Sequence, residues 1–143
     1  MSEDVPHRLG VMCLILVAAM APASAGIEVH ATCATELARE PAHVRTLRDE
    51  VARALASTPV SKRYTLDVSL VRLTGTTVGR QIEVRAEVRA LISDERGRAR
   101  WQSTSRATAR GAIRDRALLQ RDAIGAAARD IAKSVRSSAS PGR

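Results

Sequence analysis

The 143-residue sequence has room for one domain, carries a formal net charge of +8, and contains no phenylalanine, one tryptophan and one tyrosine. So few aromatics exclude the stacking platforms that hold single-stranded nucleic acid, and leave the core to valine, leucine, isoleucine and alanine. The basic balance attracts phosphates, anionic lipid headgroups and acidic glycans alike, without choosing among them.

Leu9 to Ala21 form a continuous apolar run, followed by Pro22 and by the small residues Ala23 and Ala25 that a signal peptidase accepts. The run is shorter than the roughly 20 residues needed to span a bilayer as a helix, so it predicts a secretory leader, residues 1–25, cleaved after Ala25. The stretch before it departs from the usual pattern, with Glu3 and Asp4 against Arg8. Cys13 lies inside the run and not after it, so no lipid-accepting cysteine is in place. Cleavage removes Cys13 and leaves Cys33 without an internal disulfide partner, either as a small buried hydrophobe or as a thiol for an intermolecular bridge.

In the remaining chain Ile27, Val29 and Ala31 alternate with polar residues, predicting a short strand. From Pro41 the period changes: Val44, Leu47, Val51 and Leu55 recur at helical steps, and Pro41 sits in the first turn, where a missing N–H is harmless. Residues 63–73 return to alternation, with Tyr64, Leu66, Val68 and Leu70 on one face, and residues 74–80 read as a turn. Two long strands follow. Residues 81–93 direct Ile82, Val84, Ala86, Val88, Ala90 and Ile92 inward, and residues 99–110 direct Trp101, Ser103, Ser105, Ala107 and Ala109 inward. A helix over about 114–136 carries the stripe Ala117, Ile124, Ala127, Ala128, Ile131 and Val135. An alanine stripe facing small strand residues implies close seating, so enlarging Ala127 or Ala128 is expected to be costly. Residues 137–143 have the composition of a frayed tail.

The outward positions of the two long strands form a charge ladder. A two-residue turn at Arg96 and Gly97 sets Glu87 opposite Arg106, Glu83 opposite Arg110, and Arg85 and Arg89 opposite Thr108 and Thr104. Slippage by two would oppose Arg85 to Arg106, which is unfavourable by up to ~1 kcal/mol. The competing three-residue loop, a type I turn from Asp94 to Gly97 followed by a bulge, would break the face parity. In this register Arg85 and Arg89 are left unmatched by acids.

The reactive inventory is thin. His30, Cys33, Glu36 and His43 lack the spacing of a metal site, and no cofactor motif is present. Opposed arginines keep Glu83 and Glu87 ionised, with no proton to donate, and Ser103 and Ser105 have no assigned histidine. These features predict a chain that is not an enzyme.

The order helix, three antiparallel strands, helix also occurs in double-stranded RNA-binding domains. Membership there would require a lysine cluster at the start of the last helix, where Arg114, Arg116 and Arg121 alternate with Asp115 and Asp122. Across residues 27–136, the segments "YTLDVSL", "VRAEVRALISDERG" and "RDAIGAAARDIAKSV" resemble small secreted or periplasmic α/β domains of Gram-negative bacteria, some grouped with HEAT-repeat proteins. In outline the chain is also similar to envelope accessory lipoproteins with a helix-backed antiparallel sheet. The resemblance implies an exported domain and carries over no functional residue.

The expectation is an α+β two-layer sandwich over residues 26–136, in the order (β)αβββα. A three-stranded antiparallel meander, with an optional N-terminal edge strand, is covered on one face by two helices. The basic outer face, through Arg85, Arg89, Arg106 and Arg110, or a free edge strand, is expected to bind an envelope protein or anionic surface; nucleic acid is the rival partner.

Overall fold

Pro41 opens helix α1, Pro41–Leu55, and its four buried residues are the Val44, Leu47, Val51 and Leu55 of the sequence pattern. The structure is a computed structural model that describes residues 19–24, 26–34, 37, 40–60 and 62–139. Residues 1–18, Ala25 and residues 140–143 lie outside this set, and with them most of the expected leader, its cleavage point and the tail's end.

Five strands form one sheet in sequence order: β1 (Ala19–Ser24), β2 (Ile27–Cys33), β3 (Tyr64–Val78), β4 (Gln81–Ser93) and β5 (Ala99–Ala112). The last three make the expected antiparallel meander. β2 joins it parallel to β3, with Ile27 beside Tyr64 and Cys33 beside Leu70. Parallel neighbours need a long crossover, and α1 supplies it. β1 pairs antiparallel with β2 and takes the edge position expected of β2, although residues 19–24 belong to the predicted leader. Helix α2, Arg116–Ala139, follows a 3-10 turn at Ile113–Asp115 and packs on β4, β5 and α1, while α1 covers β1 to β3. The fold is thus a helix-backed mixed sheet, buried on one face and open on the other, as the alternating burial of β4 records.

Two irregularities explain where the sequence pattern misleads. In β3 the register shifts between Leu70 and Arg72, so inward residues are even-numbered before the bulge and odd-numbered after it, at Leu73, Gly75 and Thr77. Residues 74–78 therefore continue the strand instead of forming the turn, which shrinks to Gly79 and Arg80. Gly79 takes a positive φ of 62° there.

The β4–β5 connection is the competing loop. The Gly97 N–H donates to the Asp94 carbonyl at 3.0 Å and the Asp94 N–H to the Arg98 carbonyl at 2.9 Å, with Gly97 at φ 77°. This three-residue loop does shift parity. The ladder recovers because Ser93 pairs with Ala99 but Ile92 with Trp101, leaving Arg100 as one extra residue on β5. Beyond that second irregularity the register is the expected one, with Glu87 opposite Arg106 and Glu83 opposite Arg110.

α2 rotates its stripe slightly from the predicted one. Leu119, Ala123, Ile124, Ala127, Ala128, Ile131, Ala132 and Val135 are buried, whereas Ala117 is exposed. The helix also runs into the expected tail, where the Ser137 hydroxyl donates to the Lys133 carbonyl at 3.1 Å. Against it lie Ala86 and Ala90 of β4, both buried. Small residues on both surfaces let helix and sheet approach closely.

Candidate functional site

The outer face carries the ladder. Glu83 is held by two arginines, Arg110 across the strand pair and Arg85 two residues along its own strand, the latter at 2.7 Å. Glu87 is held likewise by Arg106 at 3.4 Å and Arg89 at 3.9 Å. Arg85 and Arg89 are therefore not left without acids: residues two apart share a face of the strand, and the arginine side chain is long enough to fold back on it. The consequence is a layered arrangement. The Glu83 and Glu87 side chains are only 12% and 13% exposed, whereas Arg85, Arg89, Arg106 and Arg110 are 70%, 65%, 78% and 56% exposed. Four guanidinium groups cover two carboxylates, and the surface offered to solvent is cationic. The hydrogen bond from Arg110, then that from Arg85, holds the Glu83 carboxyl below its ordinary value.

The candidate metal and nucleophile residues do not converge. His30 lies on the outer face beside Glu28, at 2.8 Å, and Asp67, at 3.8 Å. Cys33 has the opposite parity on β2 and packs half-buried against the core, where burial pushes its thiol up. His43 pairs with Glu40 at 3.0 Å on α1, and Glu36 is not among the described residues. No group of three or more potential metal ligands gathers among the described residues. The Ser105 hydroxyl is buried and donates to Asp130 of α2 at 2.7 Å, bridging sheet to helix, and neither His30 nor His43 is brought to it.

A second feature escaped the sequence pattern. At the end of the sandwich, where β4 turns into β5, Ile27 pairs with Tyr64 in the last inward row of the sheet, and Ile92 pairs with Trp101 in the row before it. These four residues line a pocket of about 280 Å³ under Ser138 in the last turn of α2, with Lys62, Asp94 and Arg100 at its rim. Alternation would send Arg100 to the outer face, away from Trp101. The bulge re-aims it so that both side chains line the same pocket. The signal available in the sequence was that Trp101 and Tyr64, the only two aromatics, each stand at the start of one of the two strands that flank β4.

Taken together, the fold and these surfaces define a helix-backed α+β domain with an open cationic sheet face and an aromatic end pocket. No family model matches the sequence, and no curated protein matches it. Solved structures share the fold. A minor lipoprotein of Acinetobacter baumannii is similar at a TM-score of 0.55 and 16% identity, over 81% of this chain and 94% of its own. A provisionally named lipoprotein of Caulobacter crescentus gives 0.51 and 18%, over 78% and 86%. The PelC dodecamer of Paraburkholderia phytofirmans gives 0.50 and 17%, over 85% and 95%. Among the described residues no helix is long and apolar enough to cross a membrane.

Proposed function

We propose that this chain is an exported, non-catalytic binding domain of the Gram-negative envelope, which offers the arginine layer of its open sheet face to an anionic surface or partner. The observation that carries the reading is the layering itself: four exposed guanidiniums lie over two shielded glutamates. Such a surface retains excess positive charge while its internal pairs fix each guanidinium in place. The leader-like N-terminus supports export, and a fold shared over most of their length with a minor lipoprotein and a provisionally named lipoprotein supports the compartment. The separation of His30 from Cys33 across β2, and the paired state of both glutamates, support a role in binding over a role in catalysis.

The test reverses charge at Arg85 and Arg89 together and measures retention on vesicles containing anionic lipid at low salt. Each basic residue near such a surface contributes about 1 kcal/mol, so reversing two is expected to weaken retention by at least about 100-fold. Unchanged retention removes the proposal. A salt-dependent shift of duplex RNA at physiological ionic strength, without vesicle binding, would favour the nucleic-acid reading instead. Export is tested by mass: protein from the periplasmic fraction is expected to begin at Gly26, and intact Met1 in cytosolic material would refute it.

A further inference from the structure

The end pocket combines two chemistries that the sheet face does not. Its floor is apolar and holds both aromatic side chains of the protein, Tyr64 and Trp101, together with Ile27 and Ile92. Its mouth opens onto a polar cleft whose lining contains five basic residues, Lys62, Arg63, Arg96, Arg98 and Arg100, against Asp94 and Glu95. The acids are already engaged. Asp94 accepts the backbone N–H groups of Arg96 and Arg98, at 2.9 and 3.0 Å, and the Arg100 Nε at 3.0 Å, while Glu95 accepts the Arg63 N–H at 3.4 Å. Lys62, exposed at the junction of pocket and cleft, has no acidic partner among the described residues.

An apolar hollow with a cationic lip is complementary to a molecule that is apolar at one end and anionic at the other. The pocket volume of about 280 Å³ admits one slender apolar group and is too small for a paired-chain lipid tail. We infer that this pocket binds a single-chain amphiphile with an anionic head, the chain resting on Tyr64 and Trp101 and the head group facing Lys62. A carboxylate or a phosphate satisfies the head-group requirement, so a free fatty acid and a monoacyl phospholipid are the two sources of this chemistry. The site lies at the end of the inner face, separate from the arginine layer, and the inference does not depend on the function proposed for that layer.

Trp101 is the only tryptophan, so its emission reports on the pocket directly. The experiment titrates the purified protein, below micelle-forming concentrations, with decanoate, with a monoacyl phosphatidic acid and with the zwitterionic monoacyl phosphocholine of equal chain length. The expected result is a saturable blue shift with one or both anionic probes, whichever is the matching source, and at least about tenfold weaker binding of the phosphocholine. Lys62→Glu, at an exposed position outside any helix or strand, is expected to weaken the anionic probes about tenfold without moving the unfolding midpoint. Tyr64→Ala is expected to weaken all three. The Arg85→Glu, Arg89→Glu protein is expected to bind them like the parent, which separates failure of this site from failure of the sheet face. An emission spectrum unmoved by every probe overturns the inference, as does equal affinity for anionic and zwitterionic probes, or a Lys62→Glu protein that binds like the parent.

Discussion

Replacing Ala128 by leucine tests the close seating of α2 on the sheet. Ala128 is fully buried, its helix neighbours Ala127, Ala123 and Ala132 are fully buried too, and the β4 face on which the helix packs is itself buried and includes the small residues Ala86 and Ala90. Leucine adds three carbons, whose burial would contribute about 2.4 kcal/mol at ~0.8 kcal/mol per methylene if room existed. Without room, the strain exceeds that gain, and overpacked sites of this kind lose about 1–3 kcal/mol net. For a domain of this size that is a fall of about 3–12 °C in the thermal midpoint, at about 3–4 °C per kcal/mol. The matched control is Ala117→Leu, on the same helix but exposed, where the change is expected to stay within about 0.5 kcal/mol. Urea unfolding of the two variants beside the parent measures both effects. An Ala128→Leu midpoint equal to or above the parent's would refute close packing, and a loss at Ala117 as large as that at Ala128 would restore Ala117 to the stripe read from the sequence.

Two further outcomes are expected. Gly97→Ala should destabilise by about 1–2 kcal/mol in urea unfolding, wholly through backbone strain at φ 77°, since nothing lies within 4 Å of the added methyl group; Gly97→Asn should recover part of the loss. Acid should destabilise the fold in a defined window. The folded-state carboxyls of Glu83 and Asp94 lie below their ordinary 4.5 and 3.8, the first chiefly through the Arg110 hydrogen bond and the second chiefly through the Arg98 backbone N–H. A depressed group contributes fully above its ordinary value, and that contribution is lost as pH falls through the lowered one. Unfolding midpoints should therefore be insensitive to these two groups at neutral pH and fall below about pH 4.5. The Asp94→Asn, Glu83→Gln protein should show a shallower acid fall than the parent, and an identical acid profile would refute the assignment.

Residue periodicity carried most of the architecture. The four buried positions of α1, the bounds of β4 and the facing of Glu87 with Arg106 follow from alternation and helical spacing, because a half-buried element repeats its burial as a period that sequence can record. What periodicity does not encode is an interruption of itself. The bulge after Leu70 exchanges the two faces of β3, so threonines 74, 76 and 77 and Gly75 look like a turn although they extend the strand. Arg100 is the same problem in reverse: one extra residue cancels the parity change of the Asp94 loop, so the right register was reached from the wrong turn. The pocket was hidden for that reason, since it needs Arg100 on the side that alternation denies it. Fold-back of Arg85 and Arg89 onto Glu83 and Glu87 was missed because the ladder was read only across strands. Side-chain length also lets partners two residues apart meet along one.

The parallel seam between β2 and β3 also orders assembly in time. Every other strand pair can zip from a short turn, whereas the edge of β2 that faces β3 must wait for all of α1 and for Tyr64 before its partner exists. The hairpins of β3, β4 and β5 can close without it. A chain built this way can dock its N-terminal ribbon onto the meander last, once α1 has bridged the two.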